Sequence, residues 1–192
     1  LDRVVSSYTP TLDALARARQ PSAPVPVRHL TVGMPATPGL PRLPAVAAEL
    51  EVVARHFPAS AGHQQLIGVR ATRAAVQAAI ATFPWVHLAC HAGQMAADPD
   101  SSGFALWDAA LTVTDLTTQP TRHRELAFLS ACQTAAGSVR HPDEAIHLAA
   151  AMQFLGYRHV IATMWTIADS LAPDVAASVY DALTRGGGPT RA

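Results

Sequence analysis

Lysine is missing altogether, so all 14 basic side chains are arginine, and 14 acidic ones match them. The formal net charge is zero, which removes the electrostatic case for binding nucleic acid or an anionic membrane. No apolar run approaches the ~20 residues of a membrane span, and no basic-then-apolar segment opens the chain as a secretory signal does. Cysteine occurs only at Cys90 and Cys132. Two are too few for a disulfide framework, so we expect reduced thiols in the cytoplasm. Leu1 stands first in place of methionine, and we expect a piece of a longer protein. The absence of lysine beside abundant alanine and arginine points to a GC-rich bacterial source. There is no internal repeat.

What is present reads as one globular domain over residues 1–192. Hydrophobic residues make up 49% and charged residues 15%, enough to bury a core without staples and unlike a disordered chain. Residues 1–26 form a lead-in: TLDALARAR predicts a short helix, and the proline-rich PSAPVPV follows it. HLTVGM, QQLIGV, WVHLAC, ELAFLSA and HVIATMW are short apolar strands. Between them, Val46, Ala47, Leu50, Val53, Ala54 and Phe57 recur at helical spacing after Pro44. Thr72 caps a second helix, and Pro142–Asp143 opens a third that Gly156 ends. FALWDAALTV predicts a hairpin around Asp108, TDLTTQ a helical turn, and GQMAADPDSSG a loop. A last helix runs from Pro173 to Leu183. Unbroken apolar strands alternating with helices predict an α/β fold with a mostly parallel sheet covered on both faces. In such sheets ligands bind beyond the carboxyl ends of the strands.

Two strand ends carry reactive side chains. VHLACHAG places His91 at the end of the third strand, and LSACQTAAG places Cys132 at the end of the fourth. If those strands are neighbours, both residues face one cleft. A thiol needs partial conversion to thiolate to attack a carbonyl, and an imidazole can return the proton to a leaving amine. Backbone N–H groups of Cys132 and of Ala92 or Gly93 are candidates for holding the oxyanion. Strand alternation puts Val86, Leu88 and Cys90 on one face and His87, Ala89 and His91 on the other, which makes Cys90 a core thiol. It also splits His87, Cys90 and His91 too widely for a zinc site, and no metal or organic cofactor is implied. On the residues alone, Cys132 reads equally as a small buried hydrophobe closing a strand.

The ordered series SYTPTLDALARAR, LPAVAAELEVVARHF, ATRAAV, HLACHAG, LTVTDL, LAFLSACQTA, DEAIHLAAAMQFLGYRHVIATMW and VYDAL resembles the CHAT family, caspase-like domains often fused to tetratricopeptide repeats. The resemblance implies a caspase–hemoglobinase three-layer sandwich. It also implies a cysteine endopeptidase acting on a protein or peptide substrate through a Cys132–His91 dyad. MWTIAD is similar to a strand end of the related separases, which implies that Asp169 holds a basic P1 side chain and that cleavage follows arginine or lysine. Metacaspases carry an aspartate two residues before the cysteine, where Ser130 stands here. The family reads histidine–glycine at the dyad; here Ala92 intervenes before Gly93.

Several residues have two readings. Asp169 also suits the N-cap region of the last helix. Asp143 and Glu144 charge-complement a helix N-terminus or line the cleft. Trp165 is core or pocket wall, and Trp107 is undetermined. His123, His141, His147 and His159 read as surface or satisfied histidines. A competing function is a caspase-like interaction or regulatory module that binds partners without cleaving them; a weaker one is another cysteine hydrolase or a transferase using the same dyad.

Overall fold

In the computed structural model, the described residues are 9, 11–20, 28–57, 62–94, 102–117, 124–131, 143–163 and 167–185. Five strands form a parallel sheet in the order β2–β1–β3–β7–β8: β1 (His29–Gly33), β2 (His63–Ile67), β3 (Trp85–Ala89), β7 (Leu126–Ser130) and β8 (His159–Ala162). The strands β1 and β3 are buried at every position, and β7 at all but its last. Central strands covered on both faces need apolar side chains on both, which is why these segments read as unbroken apolar runs.

Period-two alternation divides the side chains between two layers. Leu30, Val32, Val86, Leu88, Ala127 and Leu129 pack against α3 (Arg73–Ile80) and α5 (Asp143–Phe154). Trp85, Leu126 and Phe128 face α2 (Val46–His56) and α6 (Ala172–Arg185) through Val52, Val53, Ala176 and Tyr180. The architecture is the expected α/β three-layer sandwich with a mostly parallel central sheet, consistent with a caspase-like fold. No helix among the described residues is long and apolar enough to cross a membrane.

The helical expectations hold within three residues. Thr11 and Thr72 cap α1 (Leu12–Arg19) and α3, each side chain accepting a backbone N–H three residues on. Arg158 ties α1 to the sheet by donating to the carbonyls of Ala18 and Gln20. Gly156 has a φ of 96° just beyond α5, a left-handed turn that suits glycine. The hairpin around Asp108 is β5 (Ser102–Ala105) with β6 (Ala110–Thr112), leading into α4 (Val113–Thr117). One expectation needs correction. Gly93 and Gln94, read as loop together with Ser102 and Gly103, belong to β4 (Ala92–Gln94), which pairs antiparallel with β5, where Ser102 and Gly103 lie. Three residues carry too little alternation to announce a strand; this one forms because the hairpin offers it an edge.

The α2/α6 face holds polar groups inside the core. His29 and Thr31 of β1, His87 of β3 and Glu49 of α2 are all buried. Tyr180 joins them, its hydroxyl 3.2 Å from His29 Nε2 and 3.0 Å from His87 Nδ1. Thr31 Oγ1 lies 3.1 Å from His29 Nδ1 and 2.8 Å from His63 Nε2. His87 Nε2 donates to Glu49 Oε1 at 3.1 Å. Ring stacking of His29 on Phe57 and of His87 on Phe128 packs the two imidazoles flat.

Burial, and then the nearby His87 and His63 rings, hold the His29 imidazole well below its ordinary value. The folded chain therefore refuses a proton there that the unfolded chain takes up below about pH 6.5. The unfolded state binds more protons in that window, so stability is expected to fall as the pH drops from about 7.5 towards 6. The slope is at most about 1.4 kcal/mol per pH unit for this residue. Half-buried His63 and His159 are lowered by burial too and act in the same direction. Glu125, raised by burial, opposes them only nearer the carboxylate range. Denaturant midpoints at the two pH values check this, and a midpoint that holds or rises on acidification refutes it.

Candidate functional site

The carboxyl edge of the sheet is built from the segments that follow β1, β3 and β7. In the β3–β7 ladder Ala89 pairs with Ser130. His91 and Cys132 each come two residues after a member of that pair in the sequence, and the third and fourth predicted strands are neighbours, the condition set for a shared cleft. Cys132 lies outside the described residues, as do Trp165, His123 and His141. Asp143 and Glu144 open α5, but their side chains are outside the described set, as is that of His147.

His91 is almost fully buried, and its Nε2 lies 2.8 Å from the carbonyl oxygen of Pro41, in the loop after β1. A carbonyl only accepts, so Nε2 carries the hydrogen, and in the neutral ring Nδ1 keeps the lone pair. The backbone beyond is fixed by β4. The His91 carbonyl accepts the Ala105 N–H at 2.8 Å, and 92 pairs with 104, 93 with 103. In an antiparallel ladder hydrogen-bonded and non-hydrogen-bonded pairs alternate. The N–H of Gly93 therefore turns towards β5 and that of Ala92 away from it. Gly93 has a φ of 145°, a region that favours glycine.

Cys90 is buried against the α3/α5 core, as alternation predicts. Burial, and then the charge of Glu49, push its thiol up to about 12, so it stays a thiol at neutral pH and is a poor nucleophile. Between the ends of β3 and β7 and the start of α2 lies a cavity of about 30 Å³. Glu49, Cys90, Ser130 and Asp169 line it, with Leu43, Val46, Ile167 and Ala172 as apolar wall. Among the described residues no three His, Cys, Asp or Glu side chains gather as metal ligands.

The family model of the CHAT domain matches residues 1–192, the whole chain. The chain belongs to the CHAT domain family. CHAT domains are a caspase-like, protease-related family. A comparison with curated proteins finds no match.

In this CHAT domain Asp169 joins two elements. It opens a single 3₁₀ turn before α6, yet its carboxylate reaches α2, where Oδ2 accepts the Ala45 N–H at 2.8 Å. Helix α2 has no side-chain cap of its own, so this long-range acceptor satisfies one of its orphan donors. Trp107 is partly exposed in the hairpin turn. His159 is half-buried, 4.0 Å from Glu125. Sequence reasoning missed Glu49. The available signal was a carboxylate standing between Val46 and Leu50 and Val53 on the apolar stripe of a helix, where a charge has no bland explanation.

Asp169→Ala is expected to lower stability by about 1 kcal/mol, the usual cost of a lost cap, measured as a shift in denaturant midpoint. Asp169→Asn, which keeps an acceptor, is expected to recover most of it. Equal losses in both variants would show that the Ala45 contact contributes nothing.

Proposed function

We propose that this CHAT domain is a cysteine endopeptidase acting on a protein or peptide substrate, with Cys132 as nucleophile and His91 as its acid–base partner. The observation that supports it best is the β3–β7 register, whose last pair, Ala89 with Ser130, stands two residues before His91 and two before Cys132 in the sequence. In the proposed cycle the Cys132 thiolate attacks the scissile carbonyl, forming a C–S bond, and the tetrahedral oxyanion collapses to a thioester as the C–N bond breaks. The imidazolium of His91 gives its proton to the leaving amine. The neutral ring then takes a proton from water, whose oxygen attacks the thioester and releases the acid and the Cys132 thiolate, restoring the thiolate–imidazolium pair. Hydrogen bonding of Nε2 to Pro41 leaves Nδ1 as the nitrogen for this traffic.

For the oxyanion we assign the N–H of Cys132 and that of Ala92, whose direction is away from the β5 ladder. Gly93 then acts through its positive φ, turning the chain into β4. This reading makes the intervening Ala92 an adequate replacement for the glycine of the family pattern, because only its N–H is used. Asp169, beside the cavity, is assigned to a basic P1 side chain, arginine or lysine. We take residues 1–192 as one domain of a bacterial, cytoplasmic protein with further fused domains. The unpaired Cys90 thiol fits a reducing compartment. Fusion to repeat domains is frequent in the family.

The test is reaction with acyloxymethyl ketones bearing arginine, lysine or aspartate at P1, read by intact mass and peptide mapping. One adduct at Cys132 is expected, faster with the basic probes, absent in Cys132→Ala and slowed roughly 100-fold or more in His91→Ala. No adduct with any probe points to the non-cleaving interaction module, and an adduct at Cys90 overturns the dyad.

A further inference from the structure

Glu49 is the most deeply buried carboxylate of the described chain, about 1% exposed, and it reaches the cavity at the sheet's carboxyl edge. Among the described residues its hydrogen-bond partner is His87 Nε2. In its neutral form His87 gives that N–H to the carboxylate and accepts the Tyr180 hydroxyl through Nδ1. Tyr180 then accepts from His29 Nε2, His29 Nδ1 accepts from Thr31, and Thr31 accepts from His63. In that arrangement Thr31, His29, Tyr180 and His87 each donate once and accept once, between His63 at one end and an acceptor-only carboxylate at the other. It orients Glu49 towards the cavity.

The carboxylate also bears on two neighbouring groups. After burial, Glu49 is the second cause raising both the Cys90 thiol and the Tyr180 hydroxyl. Asp169 supplies a second carboxylate to the same cavity, and its recorded partner is a neutral backbone N–H. None of the described residues lining the cavity is cationic. The walls are apolar, so the field of the two carboxylates is focused rather than screened by water. Apolar walls around a charged floor also match an alkyl cation, whose methylene stem packs while its head pairs.

We propose that Glu49 is a second specificity-determining carboxylate, which with Asp169 receives the cationic head of a substrate side chain. Resting on the peptidase reading, this side chain is P1. The cavity has room for about one or two waters, so a compact ammonium fits it as it stands and a planar guanidinium needs it to widen.

Binding tests the inference without requiring turnover. Saturation-transfer NMR is run on the full chain with n-butylammonium, n-butylguanidinium and, as the uncharged comparison, n-butanol. The cations are expected to bind more tightly than the alcohol, butylammonium most tightly. Glu49→Gln keeps an acceptor for His87 and removes the charge; it is expected to weaken the cations roughly fivefold or more and leave butanol unchanged. Asp169→Asn serves the same purpose should Glu49→Gln fail to fold. Cations that bind no better than butanol, or that bind both variants like the native chain, overturn the proposal even if Cys132 is labelled by the ketone probes. Cation binding that depends on Glu49 with no labelling of Cys132 retains the pocket and removes the peptidase reading.

Discussion

The parallel pairing of β3 with β7 governs the candidate site. These two strands lie at the centre of the sheet, buried on both faces, so a one-residue slip would turn every side chain to the wrong layer. The register is therefore held by the whole core, and with it the points at which the chain leaves the sheet near His91 and towards Cys132. The loop after β1 is tied to the same edge. Met34 donates its N–H to the Ala89 carbonyl at 2.8 Å, and the loop beyond it presents Pro41 to His91. A rigid scaffold thus holds Pro41 against His91 although both lie beyond the ends of strands.

The two faces of the sheet solve different problems. The α3/α5 layer is almost wholly apolar. The α2/α6 layer accepts four buried polar side chains from three elements and joins them through one tyrosine hydroxyl. A half-satisfied network of this kind would cost more than an apolar core, whereas a satisfied one fixes a single packing. Tyr180 is fully buried and stands where it can bond both β1 and β3, so α6 has one seating on the sheet. Helix α2 takes its seating from the same network through Glu49.

Asp169 adds the remaining tie. Its bond to the Ala45 N–H joins the segment before α6 to the start of α2 across 124 positions of sequence. The wall of the cavity is consequently one stitched unit: Ile167 and Asp169 on one side, Leu43 and Val46 on the other, with Glu49 one turn further along the helix. A carboxylate that both caps a helix and faces a cavity couples the shape of the wall to its charge.

Composition and pattern by themselves determined the class of fold, the five strands, the capping Thr72, the glycine end of α5 and the burial of Cys90. Each of these rests on interactions between residues close in the chain, or on a period of two or 3.6 that local sequence displays. Tertiary structure decided what depends on distant partners. The hairpin made β4 a strand, Pro41 chose the nitrogen of His91 that carries the hydrogen, and α2 drew the Asp169 carboxylate away from its own helix. Glu49 on an apolar stripe was visible as an anomaly, but its meaning came only with His87 and Tyr180, 38 positions away and on the far helix. A hydrogen bond has no periodicity along the chain, so its partner becomes known only when the fold brings the two atoms within about 3 Å.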